Sequence, residues 1–186
     1  MEAKDLLLWL FFGTGVQALH EAVPEGATSC MVVTTGSGWA QAASSAPLHY
    51  GGVTKECFLL SDHGFKNIPF FCISTQQIPV GMAAVQGDVG ALTGELLSQL
   101  PPGREASGAV ALFPCFTRGI NEYDKNDVEP EAVSQALPGC RIFGMFAHGE
   151  LGPASFSGFC PPAQSKQKCV QHSMTTVIAV YTSKTT

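Results

Sequence analysis

An eight-residue apolar run near the end of the sequence, 174–181 (MTTVIAVY), is the clearest structural signal in the chain. It is rich in β-branched side chains and is shorter than the roughly ten to twelve residues of a typical helix, so it predicts a buried strand. Further strands are predicted at 6–12, 30–35, 53–61, 70–75, 109–113 and 142–146, with another beginning in 156–159. We expect 53–61 and 70–75 to pair across a turn at 62–64.

Three segments between these strands predict helices. In 88–100, apolar residues recur on one helical face at Val89, Leu92, Leu96, Leu97 and Leu100. Segment 130–137 has Glu129 and Glu131 near its start, where the helix dipole favours negative charge. Segment 16–23 is the third helix, and 40–52 and 161–168 are predicted loops. The alternation of strands and helices indicates a mixed α/β or α+β sheet with helices packed on it.

The composition indicates a tightly folded sheet protein. Only 13% of residues are charged, against about 25% in typical soluble domains, and 45% are apolar. The 20 glycines and 12 prolines supply many turns. The length fits one domain, or one large half of a two-part fold. A net charge of −5 without a basic run argues against a nucleic-acid partner, because the phosphate backbone is bound by clustered Lys and Arg.

The seven cysteines are scattered and include no Cys-x-x-Cys pair. This pattern predicts reduced cytosolic thiols, with neither a metal site nor a redox centre. The sequence also contains no P-loop, no Gly-x-Ser-x-Gly elbow and no His-Glu-x-x-His motif. We therefore expect no cofactor and no enzymatic activity.

The apolar run 6–12 (LLLWLFF) raises the question of a membrane or a signal segment. It is too short for a membrane-spanning helix, which needs about 20 residues. Lys4 before it and a site at 16–18 make a signal peptide the alternative, but Glu2 and Asp5 oppose a positive first region. We expect a buried strand and no membrane partner.

One candidate site lies in 112–119, where an apolar strand ends and Cys115, Arg118 and Gly119 follow in quick order. Polar groups at a strand end are well placed to face a cleft, and an Arg there can bind a carboxylate through two hydrogen bonds. Gly119 permits a close backbone approach. The alternative is a buried Cys and a surface Arg in an ordinary turn.

A second candidate site lies in 143–153, where glycines surround His148, Gly149 and Glu150. Glu150 is placed to bind an amine or to pair with Arg118, and the alternative is a glycine-rich turn with a solvated Glu. A pairing of Cys115 with His148 would make a thiol–imidazole nucleophile, but no third group suggests itself to orient the imidazole. His172, before the last strand, is predicted to be a surface or hairpin residue.

These two segments together resemble the signature of the FIST C-terminal domain family. In that family a strand ends in Cys-x-x-Arg-Gly, matched by Cys115, Arg118 and Gly119, and a Gly-Phe-x-x-x-Gly-Glu-Ile-Gly stretch follows about 25 residues later, at 144–152 here. The resemblance covers 106–186, is weaker over 1–105, and implies one compact unit. The sequence departs from the pattern at Pro114, before the Cys, and at His148, before the second Gly-Glu.

The resemblance implies an α+β fold, with a mixed, largely antiparallel β-sheet and helices packed on it. It also implies a recognition domain like the substrate-binding region of an F-box protein, acting in ubiquitin-dependent protein turnover in the cytoplasm, with the nucleus as an alternative location. The partners would be client proteins. SCF ligase components would bind only to a longer form that carries an F-box, since no stretch here has its helical Leu-Pro pattern.

The alternative implied by the bacterial members of the family is a sensory domain for a small, amino-acid-like ligand. Arg118 would then hold the ligand carboxylate and Glu150 its amine. In either case the expected binding residues are Cys115, Arg118, Gly119, His148, Gly149 and Glu150.

Overall fold

The computed structural model describes residues 8–13, 29–35, 48–55, 58–61, 64–67, 70–75, 81–99, 107–154 and 169–182. The strands in these ranges are β1 (Leu8–Gly13), β2 (Ser29–Thr34), β3 (Leu48–Val53), β4 (Phe58–Ser61), β5 (Gly64–Asn67), β6 (Phe70–Thr75), β7 (Gly81–Val85), β8 (Ser107–Pro114), β9 (Gly139–Gly144), β10 (Glu150–Pro153), β11 (Cys169–His172) and β12 (Thr176–Thr182). The helices are α1 (Val89–Gln99), α2 (Ile120–Tyr123) and α3 (Val128–Ala136), and a 3₁₀ turn spans Phe116–Arg118.

These strands form two large sheets and a hairpin. The larger sheet has the order β1-β6-β2-β3-β10-β11, the smaller one has the order β7-β12-β8-β9, and β4 pairs with β5. The β2–β3 and β8–β9 pairings are parallel, whereas the other neighbours in these sheets run antiparallel. The expected α+β fold with a largely antiparallel sheet is confirmed. Both large sheets combine strands from before and after residue 105.

The smaller sheet is the middle layer of three. Along β12, Ile178 and Val180 face a core cluster that contains Val89 of α1 and Val133 of α3. The alternate β12 residues face a second cluster, which is shared with β2 of the larger sheet and includes Val177, Ala179, Tyr181, Met31 and Val33. Because successive strand residues point to opposite faces, a continuously apolar strand is the pattern that a sheet covered on both sides requires.

Several predicted elements are confirmed. The strands predicted at 6–12, 30–35, 109–113 and 174–181 correspond to β1, β2, β8 and β12, and the helices predicted at 88–100 and 130–137 correspond to α1 and α3. The strand predicted at 142–146 instead spans Gly139–Gly144. The predicted helix 16–23, strand 156–159 and connector 161–168 lie outside the described residues. Within the described residues, no helix combines the length and the apolar character of a membrane span.

Other predictions about the first half are wrong. The end of the predicted loop 40–52 belongs to β3, which lies inside the larger sheet between β2 and β10. The predicted pairing of 53–61 with 70–75 is not formed, because β4 pairs with β5 and β6 pairs with β1 and β2. Strand β7 was not predicted. Pairing between distant segments depends on the whole sheet, which local patterns do not encode.

We predict that Gly152→Ala destabilises the protein by about 1–3 kcal/mol, the usual cost of overpacking a core. A Cβ at Gly152 in β10 would lie 2.7 Å from Cγ2 of Val177 in β12, and Val177 is fully buried between the sheets. The measurement is urea-induced unfolding followed by circular dichroism.

Gly94→Ala is the matched control for this prediction. Gly94 is exposed in the middle of α1, and a Cβ there would meet nothing within 4 Å. This control should stabilise the protein by about 0.5–1 kcal/mol, since glycine disfavours a helix interior. Equal stability of Gly152→Ala and the wild type would show that the two sheets can separate at no cost.

Candidate functional site

The two candidate segments meet at one end of the smaller sheet. After β8 ends at Pro114, Cys115 forms an isolated parallel bridge with Ala147. The Ala147 N–H donates to the Pro114 carbonyl oxygen at 2.8 Å, and the Phe116 N–H donates to the Ala147 carbonyl oxygen at 2.9 Å. The Cys115 N–H donates to the Thr175 carbonyl oxygen at 2.8 Å, just before β12 begins. Backbone hydrogen bonds therefore fix both segments against the start of the last strand.

The second segment carries the chain from the smaller sheet to the larger one. Gly144, at the end of β9, has φ +154°, and a Cβ there would lie 1.7 Å from the Leu112 carbonyl oxygen. The crossing is then tied to β3 by two hydrogen bonds, from His148 N–H to the Val53 carbonyl at 2.6 Å and from Val53 N–H to the Gly149 carbonyl at 2.8 Å. The glycines of this segment thus allow the chain to cross from one sheet to the other. The predicted loop ends at Glu150, where β10 begins.

Glu150 is fully buried, so the alternative of a solvated Glu is wrong. Its Oε2 accepts hydrogen bonds from the Thr175 hydroxyl at 2.9 Å and from the Thr175 N–H at 3.2 Å. Burial raises the pKa of Glu150 above its ordinary value of 4.5, and hydrogen bonds from Thr175 and the Cys115 thiol offset part of this effect. Glu150 Oε1, however, has no hydrogen-bond partner of good geometry in the described part of the chain.

Arg118 is buried as well, so the alternative of a surface Arg is also wrong. Its Nε forms an ion pair with Oε1 of Glu129 at 2.6 Å, which means that the predicted pair with Glu150 is not formed. Its Nη2 donates to the Gly87 carbonyl at 2.9 Å and to the Tyr123 hydroxyl at 2.8 Å, and Nη1 makes a long contact of 3.4 Å with the Gln86 carbonyl. The guanidinium therefore holds the connection between β7 and α1 against the 3₁₀ turn.

Glu129, in the first turn of α3, is the centre of this network. Its Oε1 also accepts a hydrogen bond from the Tyr123 hydroxyl at 2.7 Å, and its Oε2 accepts one from the buried Thr176 hydroxyl at 2.6 Å. Burial, together with the hydrogen bond to Glu129, raises the pKa of Tyr123 to about 12. Both oxygens of the buried carboxylate are satisfied, which is the condition under which a buried charge is tolerated.

A cavity of about 290 Å³ opens beside this network, and we call it the Arg118 cavity. Its lining combines the loop before α1, the 3₁₀ turn with α2, and the first turns of α3: Gln86, Gly87, Asp88, Val89, Arg118, Glu122, Tyr123, Val128, Glu129 and Ala132. The lining contains three carboxylates and one guanidinium. Glu150 and Cys115 lie outside it, so the proposed division of a zwitterion between Arg118 and Glu150 does not fit the structure.

The 3₁₀ turn, α2 and the second segment also carry four exposed side chains, three of them large and apolar. We call this group the Phe116 surface: Phe116, Ile120, Phe146 and His148. The side chains of Phe116, Ile120 and Phe146 are 49%, 57% and 45% exposed. The exposed His148 ring lies 4.5 Å from the Phe116 ring, centroid to centroid, at an interplanar angle of 36°. Phe146 lies over Gly119, where a Cβ would come within 3.3 Å of the Phe146 ring.

Cys115 and His148 have different surroundings. The buried Cys115 Sγ accepts a hydrogen bond from the Thr117 hydroxyl at 3.1 Å and lies beside Glu150, while the His148 ring packs at a tilt against Phe116. Of the six predicted site residues, His148 alone is exposed, and the other five are buried. They are brought to one end of the sheet, but they do not line one cleft.

Some important residues were missed from the sequence, and one was misplaced. Glu129 was recognised only as a charge at a helix start, and Tyr123, Thr175 and Thr176 gave no signal as site residues. His172 is buried, contrary to prediction, and its Nε2 donates to the Pro153 carbonyl oxygen at 2.7 Å. Burial lowers the pKa of His172 below 6.5, although this hydrogen bond opposes the shift.

Comparison with known proteins does not assign this chain to a family. No protein-family model matches the chain, and no curated protein matches its sequence. The resemblance to the FIST family therefore stays a prediction. Among the described residues, no three His, Cys, Asp or Glu side chains are grouped as metal ligands.

We predict that Glu150→Gln changes the pH dependence of stability. Because the folded-state pKa of Glu150 is raised above 4.5, the folded protein keeps this proton at pH values where the unfolded chain has lost it. The contribution of Glu150 to the free energy of unfolding must then fall as the pH rises from 4.5 through the folded pKa, and level off above it. Gln removes this titration and keeps an acceptor for Thr175.

The measurement is urea unfolding of both proteins at a series of pH values. The stability of Glu150→Gln minus that of the wild type should increase from pH 4.5 upward and then become constant. His172 acts in the opposite direction, because its lowered pKa makes stability rise with pH up to about its ordinary value of 6.5. It is present in both proteins and cancels in the difference. A difference that does not vary with pH would contradict the prediction.

We also predict that Glu129→Ala destabilises the protein by about 3–5 kcal/mol, the usual cost of leaving the partner of a buried ion pair alone. Lys125→Ala is the control, because its ion pair with Glu131 is exposed and should contribute roughly 0.2–1 kcal/mol.

The double variant Arg118→Met/Glu129→Met should lose less stability than the sum of the losses of the two single Met variants, since neither charge remains unpaired in it. Strict additivity in unfolding experiments would show that the two side chains do not interact.

Proposed function

We propose that this chain is a non-enzymatic recognition domain that binds client proteins in ubiquitin-dependent turnover. The observation that carries the proposal is the Phe116 surface, a group of large exposed apolar side chains on the two segments that resemble the FIST signature. The resemblance is to the C-terminal region of F-box only protein 22. Through it the proposal extends to a cytoplasmic location, with the nucleus as an alternative.

The composition of this surface supports partner binding. Three large apolar side chains that are each about half exposed lie on two adjacent segments, and aromatic residues often contribute much of the binding energy at protein interfaces. The Phe116 ring packs against the tilted ring of His148, and Phe146 lies over Gly119. Their positions are therefore restricted before any partner binds, which lowers the entropic cost of association.

The buried residues of the signature support this surface from below. Backbone hydrogen bonds of Cys115, Phe116 and Ala147 join the two segments, and the Arg118–Glu129 ion pair holds the 3₁₀ turn against α3. In this proposal the signature supplies a rigid frame. A ubiquitin ligase would be reached through an F-box, so SCF components are proposed partners only for a longer form that carries one.

The test measures which proteins are captured by the immobilised chain. We expect a set of proteins that bind the wild type and are lost with Ile120→Ser/Phe146→Ala, because that double variant removes two of the three exposed apolar groups and leaves the buried network intact. The bound proteins are identified and quantified by mass spectrometry. Thermal unfolding of each variant verifies that it is folded.

Phe143→Ala is the matched control. Phe143 is 42% exposed, similar to Phe146, but it lies on β9, at the edge of the smaller sheet. It should keep the captured proteins. If Phe143→Ala lost the captured proteins as fully as Ile120→Ser/Phe146→Ala, the binding surface would have to include the sheet edge. Equal capture by the wild type and both variants would overturn the proposal.

The Arg118 cavity favours a second candidate function, the binding of a small amino-acid-like ligand. Arg118 and Glu122 both line the cavity, so in this candidate the guanidinium would hold the ligand carboxylate. Glu122, in place of the predicted Glu150, would hold the amine.

Thermal shift against a panel of amino acids separates this function from protein recognition. A ligand at 100 times its dissociation constant stabilises the folded state by about 2.7 kcal/mol, which raises the Tm of a chain of this size by roughly 5–10 °C. Glu122→Gln should abolish the shift. No shift with any amino acid would remove this candidate.

A further inference from the structure

We propose that two copies of this chain associate through β9, which pairs with its own copy as antiparallel strands about a twofold axis at Ile142. Strand β9 lies at the edge of the smaller sheet, and among the described residues it pairs with β8 alone. The contacts involve no residue of the Phe116 surface, so this association does not depend on the proposed function.

The open edge of β9 is defined by the way its backbone bonds to β8. The Leu112 carbonyl oxygen of β8 points at Gly144, because a Cβ there would clash with it. In a parallel ladder, a residue that faces the next strand bonds to the two neighbours of its partner, so Phe143 turns its backbone groups to β8. Because these groups alternate along a strand, Ile142 and Gly144 direct their N–H and C=O groups away from β8. The Cys140 N–H follows the same alternation, since it donates at 3.0 Å to a carbonyl of the preceding loop.

The side chains of β9 are incompletely covered on both faces. Cys140 and Ile142 are only partly buried against the core cluster that contains the helix residues. On the other face Arg141 and Phe143 are exposed, whereas Ala111, the partner of Phe143 in β8, is fully buried. The strand contains neither Pro nor Lys, the residues that commonly block a sheet edge. An exposed edge of this kind is a template for one more strand.

The sequence of β9 (GCRIFG) fits a second copy of itself. About a twofold axis at Ile142, that residue lies opposite its own copy, and Arg141 lies opposite Phe143 of the second copy. The two Ile142 residues then exchange two hydrogen bonds, and each Gly144 N–H donates to the Cys140 carbonyl of the other copy. Arg141 and Phe143 form the closer type of cross-strand pair, in which a guanidinium covers an aromatic ring on each side of the axis.

This register is favoured over the other twofold pairings of β9. An axis at Arg141 would place two like charges directly opposite each other, which is destabilising in a sheet. An axis at either end of the strand would leave part of β9 without a partner. The match of the strand with itself selects a second copy over an unrelated peptide. Because two six-residue strands bury less area than a standard interface, we expect a dissociation constant in the micromolar range.

Sedimentation equilibrium of the full chain over a range of concentrations tests this association. The wild type should form a dimer. Phe143→Lys should raise the dimer dissociation constant by at least about tenfold, because it places a cation opposite Arg141 on both sides of the axis. The charge swap Arg141→Glu/Phe143→Lys should bring this constant back to within about threefold of the wild-type value, since opposite charges then face each other.

Phe143→Glu is the matched control for Phe143→Lys. Both variants remove the same exposed ring, but the carboxylate lies opposite Arg141 and should keep the dimer. Circular dichroism of each variant verifies that it is folded, which is expected because Arg141 and Phe143 are exposed in the single chain.

The remaining outcomes would overturn this inference. A wild-type chain that stays monomeric at about 1 mM has no such contact. A dimer that Phe143→Lys leaves intact, or that the charge swap does not restore, is formed elsewhere or in another register. A dimer lost in Ile120→Ser/Phe146→Ala and kept in Phe143→Lys would assign the association to the Phe116 surface. A monomeric chain that loses its captured proteins in Phe143→Ala would assign the edge of β9 to a strand of the client.

Discussion

The buried ion pair between Arg118 and Glu129 is the interaction on which the rest of this region depends. It joins the 3₁₀ turn to α3, while the remaining hydrogen bonds of the two side chains reach the connection before α1 and the first residue of β12. Such a pair adds little net stability over an apolar replacement, because both charges lose their hydration. Its contribution is geometric, since only one arrangement of four chain segments satisfies the guanidinium and the carboxylate together.

Two different surfaces follow from that arrangement. With Arg118 fixed inward, the residues on either side of it in the 3₁₀ turn and α2 are divided between an apolar outer side and the cavity. Phe116 and the cavity residues Arg118, Glu122 and Tyr123 belong to one stretch of eight residues. Because Arg118 lines the cavity and lies two residues after Phe116, its ion pair with Glu129 helps to position both features.

The sequence predicted the elements whose patterns are local. Strand β12 is β-branched and apolar throughout, and α1 repeats its apolar residues at helical spacing, so both could be predicted from their own residues. Three of the five residues of β7 (GMAAV) are Gly or Ala, which have little strand preference, and β3 includes Gly51 and Gly52, so the local signal of both strands is weak. The Arg118–Glu129 pair was missed because its partners belong to different elements, and a Glu at a helix start has an ordinary explanation.

The residues that resemble the FIST signature also differ in burial from their neighbours in the sequence. The residues by which the two segments resemble the FIST pattern, such as Cys115, Arg118 and Glu150, are buried and hold the chain crossover and the 3₁₀ turn. The positions that the pattern leaves open include Phe116 and Phe146, and these are exposed. The buried residues must form hydrogen bonds within the protein, because an unpaired buried polar group is unfavourable. The exposed residues need only match the surface of a partner. The partner preference of this chain should therefore depend on residues that the resemblance does not specify.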